Sequence, residues 1–229
     1  MTAPDWAQLR GQLDAEGVAL LPGLLDGAQC ADLRGLYDQP ERFRSRIQME
    51  RYRFGRGEYQ YFAAPLPSLV QALRETVYAQ LLPLANDWAQ RLGETRRYPE
   101  THAQFVAQCH AAGQGRPTPL LLRYRTGDYN CLHQDLYGAL AFPLQLVVLL
   151  SEPGVDFEGG ELALTEQRPR AQSRLRVLPL RRGDAAVFAV HQRPVQGSRG
   201  SHRVQLRHGV STVTRGERLA LGVIFHDAS

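Results

Sequence analysis

In this 229-residue chain, His133 and Asp135 are residues whose types and spacing suggest chemistry. They close the stretch Arg123-Tyr124-Arg125-Thr126-Gly127-Asp128-Tyr129-Asn130-Cys131-Leu132-His133-Gln134-Asp135, which reads as a strand, a turn at Gly127-Asp128 and a His-x-Asp pair. Side chains two apart in an extended chain leave the same face, so the imidazole and the carboxylate can converge on one point. Together they supply part of the two-histidine, one-carboxylate triad that holds Fe(II) with coordination positions left open. The pair alone is common by chance and needs a third ligand.

His202 and His208 could each provide it. Ten residues beyond His208 stands Arg218, whereas ten beyond His202 stands Thr212. A strand, turn and strand would return Arg218 to the metal, and a buried arginine there can clamp a dicarboxylate through two parallel hydrogen bonds. The long separation of Asp135 from His208 is no obstacle in a small barrel, whose edges meet in space. Cys131, two residues before His133, is expected to be a small buried residue. His102 and His110 are expected to be structural or exposed; His191 is expected to be exposed or rim-lining and His226 to end the last strand, and either of these two could touch substrate.

These residues need elements to hold them, and the pattern changes at Gly113-Gln114-Gly115-Arg116-Pro117-Thr118-Pro119. Before that loop, apolar spacing predicts helices over Asp5–Glu16, Asp26–Tyr37, Ser68–Leu92 and Glu100–Ala112, with a short strand at Gly17–Gly23. After it, short strands recur between Pro-Gly, Gly-Gly and Gly-Asp turns: Leu120–Arg125, the run after Asp135, Leu144–Ser151, Glu161–Thr165, Leu175–Leu180, Ala185–Val190, Val204–Val213 and Leu219–His226. Residues Gln192-Arg193-Pro194 read as loop. About eight short strands argue for a jelly roll in an α+β fold. One domain, 1–229, is expected, with 1–112 as helical support and substrate lid and 113–229 as the catalytic core.

Gln39 to Phe62 carries six arginines between Arg42 and Arg56, interleaved with Phe43, Tyr52 and Phe54, then Tyr59, Tyr61 and Phe62. Guanidinium groups alternating with rings suit single-stranded nucleic acid; Arg44, Arg53, Tyr59 and Tyr61 are the candidate substrate contacts. The alternative is a surface segment whose rings face the core. All 27 basic residues are arginine and the formal net charge is +4, which admits acidic partners. Three cysteines without Cys-x-x-Cys spacing fit a reduced, cytoplasmic compartment. The stretch Met1–Trp6 lacks a basic region followed by an apolar run, so neither a signal peptide nor a membrane span is expected.

In order, His133-x-Asp135, Phe157-x-Gly159-Gly160-Glu161-Leu162, Gly183-Asp184 before Val187-Phe188, His208 and Arg218 resemble the Fe(II)/2-oxoglutarate-dependent dioxygenases over roughly Leu120 to Asp227. The likeness implies a double-stranded β-helix core with flanking N-terminal helices. It further implies that His133, Asp135 and His208 bind iron and that Arg218 pairs with the C5 carboxylate of 2-oxoglutarate. Tyr124 matches the position from which prolyl-hydroxylase-like members bond the same carboxylate. Many relatives have a serine two residues after the arginine; here Ala220 stands there. The implied cofactors are Fe(II), 2-oxoglutarate and O2, with ascorbate as an aid, and the implied products are succinate, CO2 and an oxidised C–H bond. The chain as a whole resembles a bacterial family grouped with the nucleic-acid-oxidising branch, which implies oxidative demethylation of alkylated nucleic acid. A prolyl-type protein hydroxylase and a non-catalytic jelly-roll binder are the alternatives.

Overall fold

A computed structural model describes residues 4–197 and 200–229; Met1 to Ala3, where the stretch read for a leader begins, lie outside them. Helix α1 (Trp6–Glu16) starts at Asp5, whose carboxylate accepts the amides of Ala7 and Gln8, and stops at Gly17 in the left-handed region. That combination satisfies orphan amides at one end and lets the chain reverse at the other. It buries Leu9 and Leu13, and β1 (Val18–Leu21) follows directly. Helix α2 (Gly27–Gly35) opens with an Asp26/Gln29 capping box. Strands β2 (Phe43–Gln48), β3 (Gly55–Arg56) and β4 (Glu58–Phe62) precede α3 (Ser68–Arg91) and α4 (His102–Ala111).

Ten strands follow: β5 (Leu120–Arg125), β6 (Tyr129–His133), β7 (Leu144–Leu149), β8 (Phe157–Gly159), β9 (Leu162–Gln167), β10 (Arg174–Leu178), β11 (Ala185–Ala189), β12 (Gln192–Gly197), β13 (Gly200–Val210) and β14 (Val213–Val223). The larger sheet runs β1-β11-β7-β14-β5-β4-β2, with β8 on β14. The smaller runs β10-β9-β13-β6-β3, with β12 on β13. Every strand pairing is antiparallel, and non-sequential neighbours such as β14 between β7 and β5 make this a jelly roll. The fold is α+β, as the residue pattern predicts. β7, apolar but for Gln145, and the wholly buried β11 lie inside the larger sheet, where both faces are covered. No helix among the described residues is long and apolar enough to cross a membrane.

Four expectations differ from this architecture. Residues 39–62 form strands rather than a free arginine-aromatic ribbon, and the half before the loop therefore donates β1, β2 and β4 to the larger sheet and β3 to the smaller. Phe43 stacks on Phe62 at 4.9 Å, so part of the ring alternation is a strand period turned inward. The run after Asp135 is not a strand. Its polar groups are met by side chains instead: Gln114 donates to the Leu140 carbonyl and accepts from the Leu140 amide, and His226 accepts from the Phe142 amide. Gln192–Gly197 is a strand, tolerating Pro194 because β12 pairs with β13 alone. Cys131 is exposed, at the point where the β6–β13 pairing shifts register between His208 and Val210 and simple alternation of faces breaks down.

Candidate active site

Strand register assembles the site. β13 pairs with β6 so that His208 stands directly opposite His133, and the ring centroids are 4.2 Å apart. In the other sheet, β14 pairs with β5 so that Arg218 stands opposite Tyr124, with its guanidinium 5.5 Å from that ring. Directly opposed residues are the natural contact pairs of a sheet. These four residues, with Asp135 and Tyr59, line one cavity of about 150 Å³. Two glycines allow the elements around it to pack this closely. A Cβ at Gly209 would lie 2.7 Å from the Asn130 carbonyl oxygen, and one at Gly160 would lie 3.0 Å from Cδ of Arg218.

One ligand atom from each of His133, Asp135 and His208 lies within 4.8 Å of the others. Asp135 Oδ1 is 3.5 Å from His133 Nε2, and Oδ2 is 3.2 Å from His208 Nε2. Nδ1 of His133 donates to the Cys131 carbonyl at 2.8 Å, which leaves the Nε2 lone pair facing the carboxylate. Tyr137 donates to Asp135 Oδ1 at 2.6 Å, and the Gln134 amide donates to the Leu206 carbonyl at 2.7 Å, tying the segment after β6 to β13.

Burial acts to raise the Asp135 pKa, but the His133 and His208 rings outweigh it and hold the carboxyl well below its usual range. Burial acts to lower His133, yet Asp135 draws it up; burial and His133 together push His208 down. Two rings therefore compete around one carboxylate, an arrangement a divalent cation resolves by replacing the proton. Two imidazole nitrogens and one carboxylate oxygen are the donor set of non-haem Fe(II) oxygenases.

Arg218 is 2% exposed. Its Nε has no hydrogen-bond partner, and among the described residues no carboxylate reaches it within ion-pair distance. Burial pulls its pKa down. An uncompensated buried guanidinium is unfavourable, so the geometry fits an incoming anion such as a carboxylate of 2-oxoglutarate. Tyr124 is fully buried and its pKa is pushed up to about 12 by that burial. Its oxygen accepts from Asn130 Nδ2 at 3.3 Å, leaving the hydroxyl proton to donate. Ala220 lines the cavity and offers no polar group of its own side chain.

The candidate substrate contacts separate. Tyr59 lines the cavity, whereas Tyr61 packs behind it with Leu120 and Ile224. Arg44 lies over the Tyr61 ring at 4.5 Å and donates to the Pro117 carbonyl at 2.9 Å, away from the cavity. Arg53 is exposed at the tip between β2 and β3. His202 faces Val195 across the β12–β13 pair and does not line the cavity. Gln145, Asn130 and Tyr137 also line it, and spacing did not reveal them. Gln145 is 2% exposed with its amide nitrogen 3.1 Å from His208 Nε2. The signal was a lone glutamine inside the apolar run Leu144–Leu150.

Residues 57–228 match a family model named Oxygenase-NA, described as an oxygenase catalysing oxidative methylation of damaged DNA. Two uncharacterized proteins of Mycobacterium tuberculosis, from strains H37Rv and CDC 1551, are each 49% identical over 168 residues, covering 73% of this chain and 72% of theirs. Among solved structures, a Pseudomonas putida prolyl-4-hydroxylase superposes with TM-score 0.58 at 14% identity, covering 98% of this chain and 99% of that one. A 2OG-Fe(II) oxygenase family oxidoreductase from Burkholderia pseudomallei gives TM-score 0.54 at 15% identity, over 100% of this chain and 94% of that one. A prolyl hydroxylase from Trichoplax adhaerens, in complex with a hypoxia inducible factor peptide fragment, gives 0.55 at 16%, over 97% and 93%. Identities this low speak for the fold.

Proposed function

Since the chain belongs to the Oxygenase-NA family, we propose that it removes methyl groups from alkylated bases of nucleic acid by oxidising them. It is a 2-oxoglutarate/Fe(II) oxygenase, with O2 as the oxidant and ascorbate as an aid that keeps the metal reduced. The observation that carries the reading is the convergence of His133, Asp135 and His208 in a cavity that also holds the unpaired guanidinium of Arg218. There, His133, Asp135 and His208 would hold the iron.

When bound, iron and 2-oxoglutarate supply the oxidising power for a C–H bond, with release of succinate and CO2. The chain's own residues do the rest. Arg218 binds the distal carboxylate of the co-substrate and Tyr124 donates a second hydrogen bond to it. The Cys131 carbonyl and the Tyr137 hydroxyl hold His133 and Asp135 in their ligating orientations. Apolar walls from Leu122, Leu146 and Leu162 keep water from the reacting carbon. Tyr59, at the cavity wall, contacts the target base, with the exposed Arg53 serving the strand, whereas Arg44 is engaged with Tyr61 and Pro117 away from the cavity. Hydroxylation of an N-methyl carbon gives an N-hydroxymethyl group, which releases formaldehyde and leaves N–H. We place the activity in the cytoplasm; three free cysteines support a reducing compartment.

The test is purified protein with Fe(II), ascorbate and 2-oxoglutarate, offered N-methylated single-stranded DNA. Formaldehyde release and a matching mass loss from the oligonucleotide are expected. Succinate production that responds to a proline-containing peptide and to no oligonucleotide would establish the protein hydroxylase alternative instead.

A further inference from the structure

The tip between β2 and β3 holds two large rings in solvent beside the cavity. Tyr52 is 56% and Phe54 44% exposed, and they stack at 5.7 Å with planes 19° apart. Phe54 lines the cavity and Tyr52 does not, so the pair runs from its mouth outward. The tip is anchored. Met49 is fully buried beneath it, the Phe54 amide donates to the Met49 carbonyl at 3.1 Å, and the Phe54 carbonyl accepts from the Cys131 amide at 2.8 Å, two residues from His133. Between the rings, Arg53 takes the left-handed conformation at φ 60°, which lets residues 52 and 54 bring their rings together. Arg51 and Arg53 are exposed, and among the described residues neither has an acidic partner within ion-pair distance. Arg56 is shared between Glu50 and Asp128 at 3.5 and 3.3 Å.

Two adjacent rings, each about half exposed and stacked at the mouth of a cavity, form a contact surface rather than an isolated exposed residue. Their stacked geometry and the cations at 51 and 53 choose among contacts. We propose that Tyr52 and Phe54 form a stacking platform for an unpaired base next to the one entering the cavity, with Arg51 and Arg53 on the adjoining phosphates. The occupant is thus a single strand. A duplex keeps its neighbouring bases stacked on each other and has no free face to offer. This inference rests on the nucleic-acid reading above and adds a strand preference to it.

The test measures binding of a dye-labelled N-methylated single strand and the matching duplex by anisotropy over a salt series, with 2-oxoglutarate affinity measured separately. Full-length wild type, Tyr52→Ala, Tyr52→Phe and Arg53→Ala are compared. Stacking on one ring is worth roughly tenfold in affinity, so Tyr52→Ala should weaken single-strand binding about tenfold. It should leave the salt slope and the 2-oxoglutarate affinity unchanged, and Tyr52→Phe should restore binding. Arg53→Ala should instead lower the salt slope by about one. If wild type binds oligonucleotides but Tyr52→Ala binds as tightly, or duplex binds as well as single strand, the platform is wrong and the nucleic-acid reading stands. If wild type binds no oligonucleotide, both fall.

Discussion

At His133, a carbonyl fixes the tautomer: the Cys131 oxygen accepts a hydrogen bond from Nδ1–H, which leaves the Nε2 lone pair free to ligate. The same logic separates the two late histidines. His208 is 6% exposed and lines the cavity, whereas His202 lies on the β12–β13 hairpin outside it. His208→Ala is expected to cut succinate production by more than about a hundredfold, since even outer contacts of a metal site are worth ten- to a hundredfold; His202→Ala should stay within about twofold. Fe(II) binding measured alongside must follow the same order, and a reversed order would mean that the iron sits elsewhere. Arg218→Ala should weaken 2-oxoglutarate binding at least about thirtyfold, in line with roughly 2–5 kcal/mol for a buried charged partner. Iron affinity should change far less. Equal loss of both would assign Arg218 to the scaffold.

Between elements, the spacing of β13 and β6 sets the distance between His133 and His208, two of the three proposed metal ligands. Gly209 sits between His208 and Val210, and its missing side chain is what lets the two strands close. Gly209→Val should push β13 from β6 and spread the opposed histidines. Overpacking of this kind costs about 1–3 kcal/mol. The expected outcome is a lowered thermal midpoint, unchanged far-ultraviolet dichroism and at least about tenfold weaker Fe(II) binding. A variant with wild-type metal affinity would show that the register tolerates the strain. The long β13 also explains why β6 can be short: β13 is paired on its other side to β9 over Gln205–Val210, so the sheet holds without it.

Across the whole molecule, the C-terminal segment is locked onto α3 and α4 by a polar cluster. Arg74, 3% exposed, pairs with Asp227 at 2.6 Å and donates to the Ile224 carbonyl; His110 also reaches Asp227, and His102 donates to the Phe225 carbonyl at 2.8 Å. Arg74→Ala leaves the buried Asp227 carboxylate without its guanidinium, with only the His110 ring beside it, and should destabilise the fold by about 3–5 kcal/mol, read from chemical denaturation. Burial, with Arg74 close by, pulls the His102 pKa down to about 4. The folded state thus keeps the ring neutral while the unfolded chain protonates near 6.5, so this stability is complete above that value and drains away as pH falls toward 4. The loss is about 3 kcal/mol at about 1.4 kcal/mol per pH unit. His102→Gln, whose amide can still donate to Phe225, should flatten the fall in thermal midpoint between pH 7 and 5. An equally steep fall would place the acid sensitivity elsewhere.

Part of the proposed ligand cluster was legible because its spacing obeys local rules. Two positions along a strand share a face, which pairs His133 with Asp135. The regular turns after residue 113 specify short strands. Which histidine completes the set was legible only through the interval from His208 to Arg218. The role of residues 39–62 was not legible, because alternating rings and arginines describe both an inward-facing strand and a binding ribbon. Tertiary structure divided them: Phe43, Phe62 and Tyr61 turn to the interior, Arg44 lies on Tyr61, and Tyr52 with Phe54 stays in water. Gln145, Asn130 and Tyr137 were likewise settled by long-range pairing, since each gains its meaning from a partner or cavity that the chain reaches only after folding. Local periodicity determines which face a side chain leaves from; what waits on that face depends on strand pairings between residues far apart in sequence, and these no local pattern encodes.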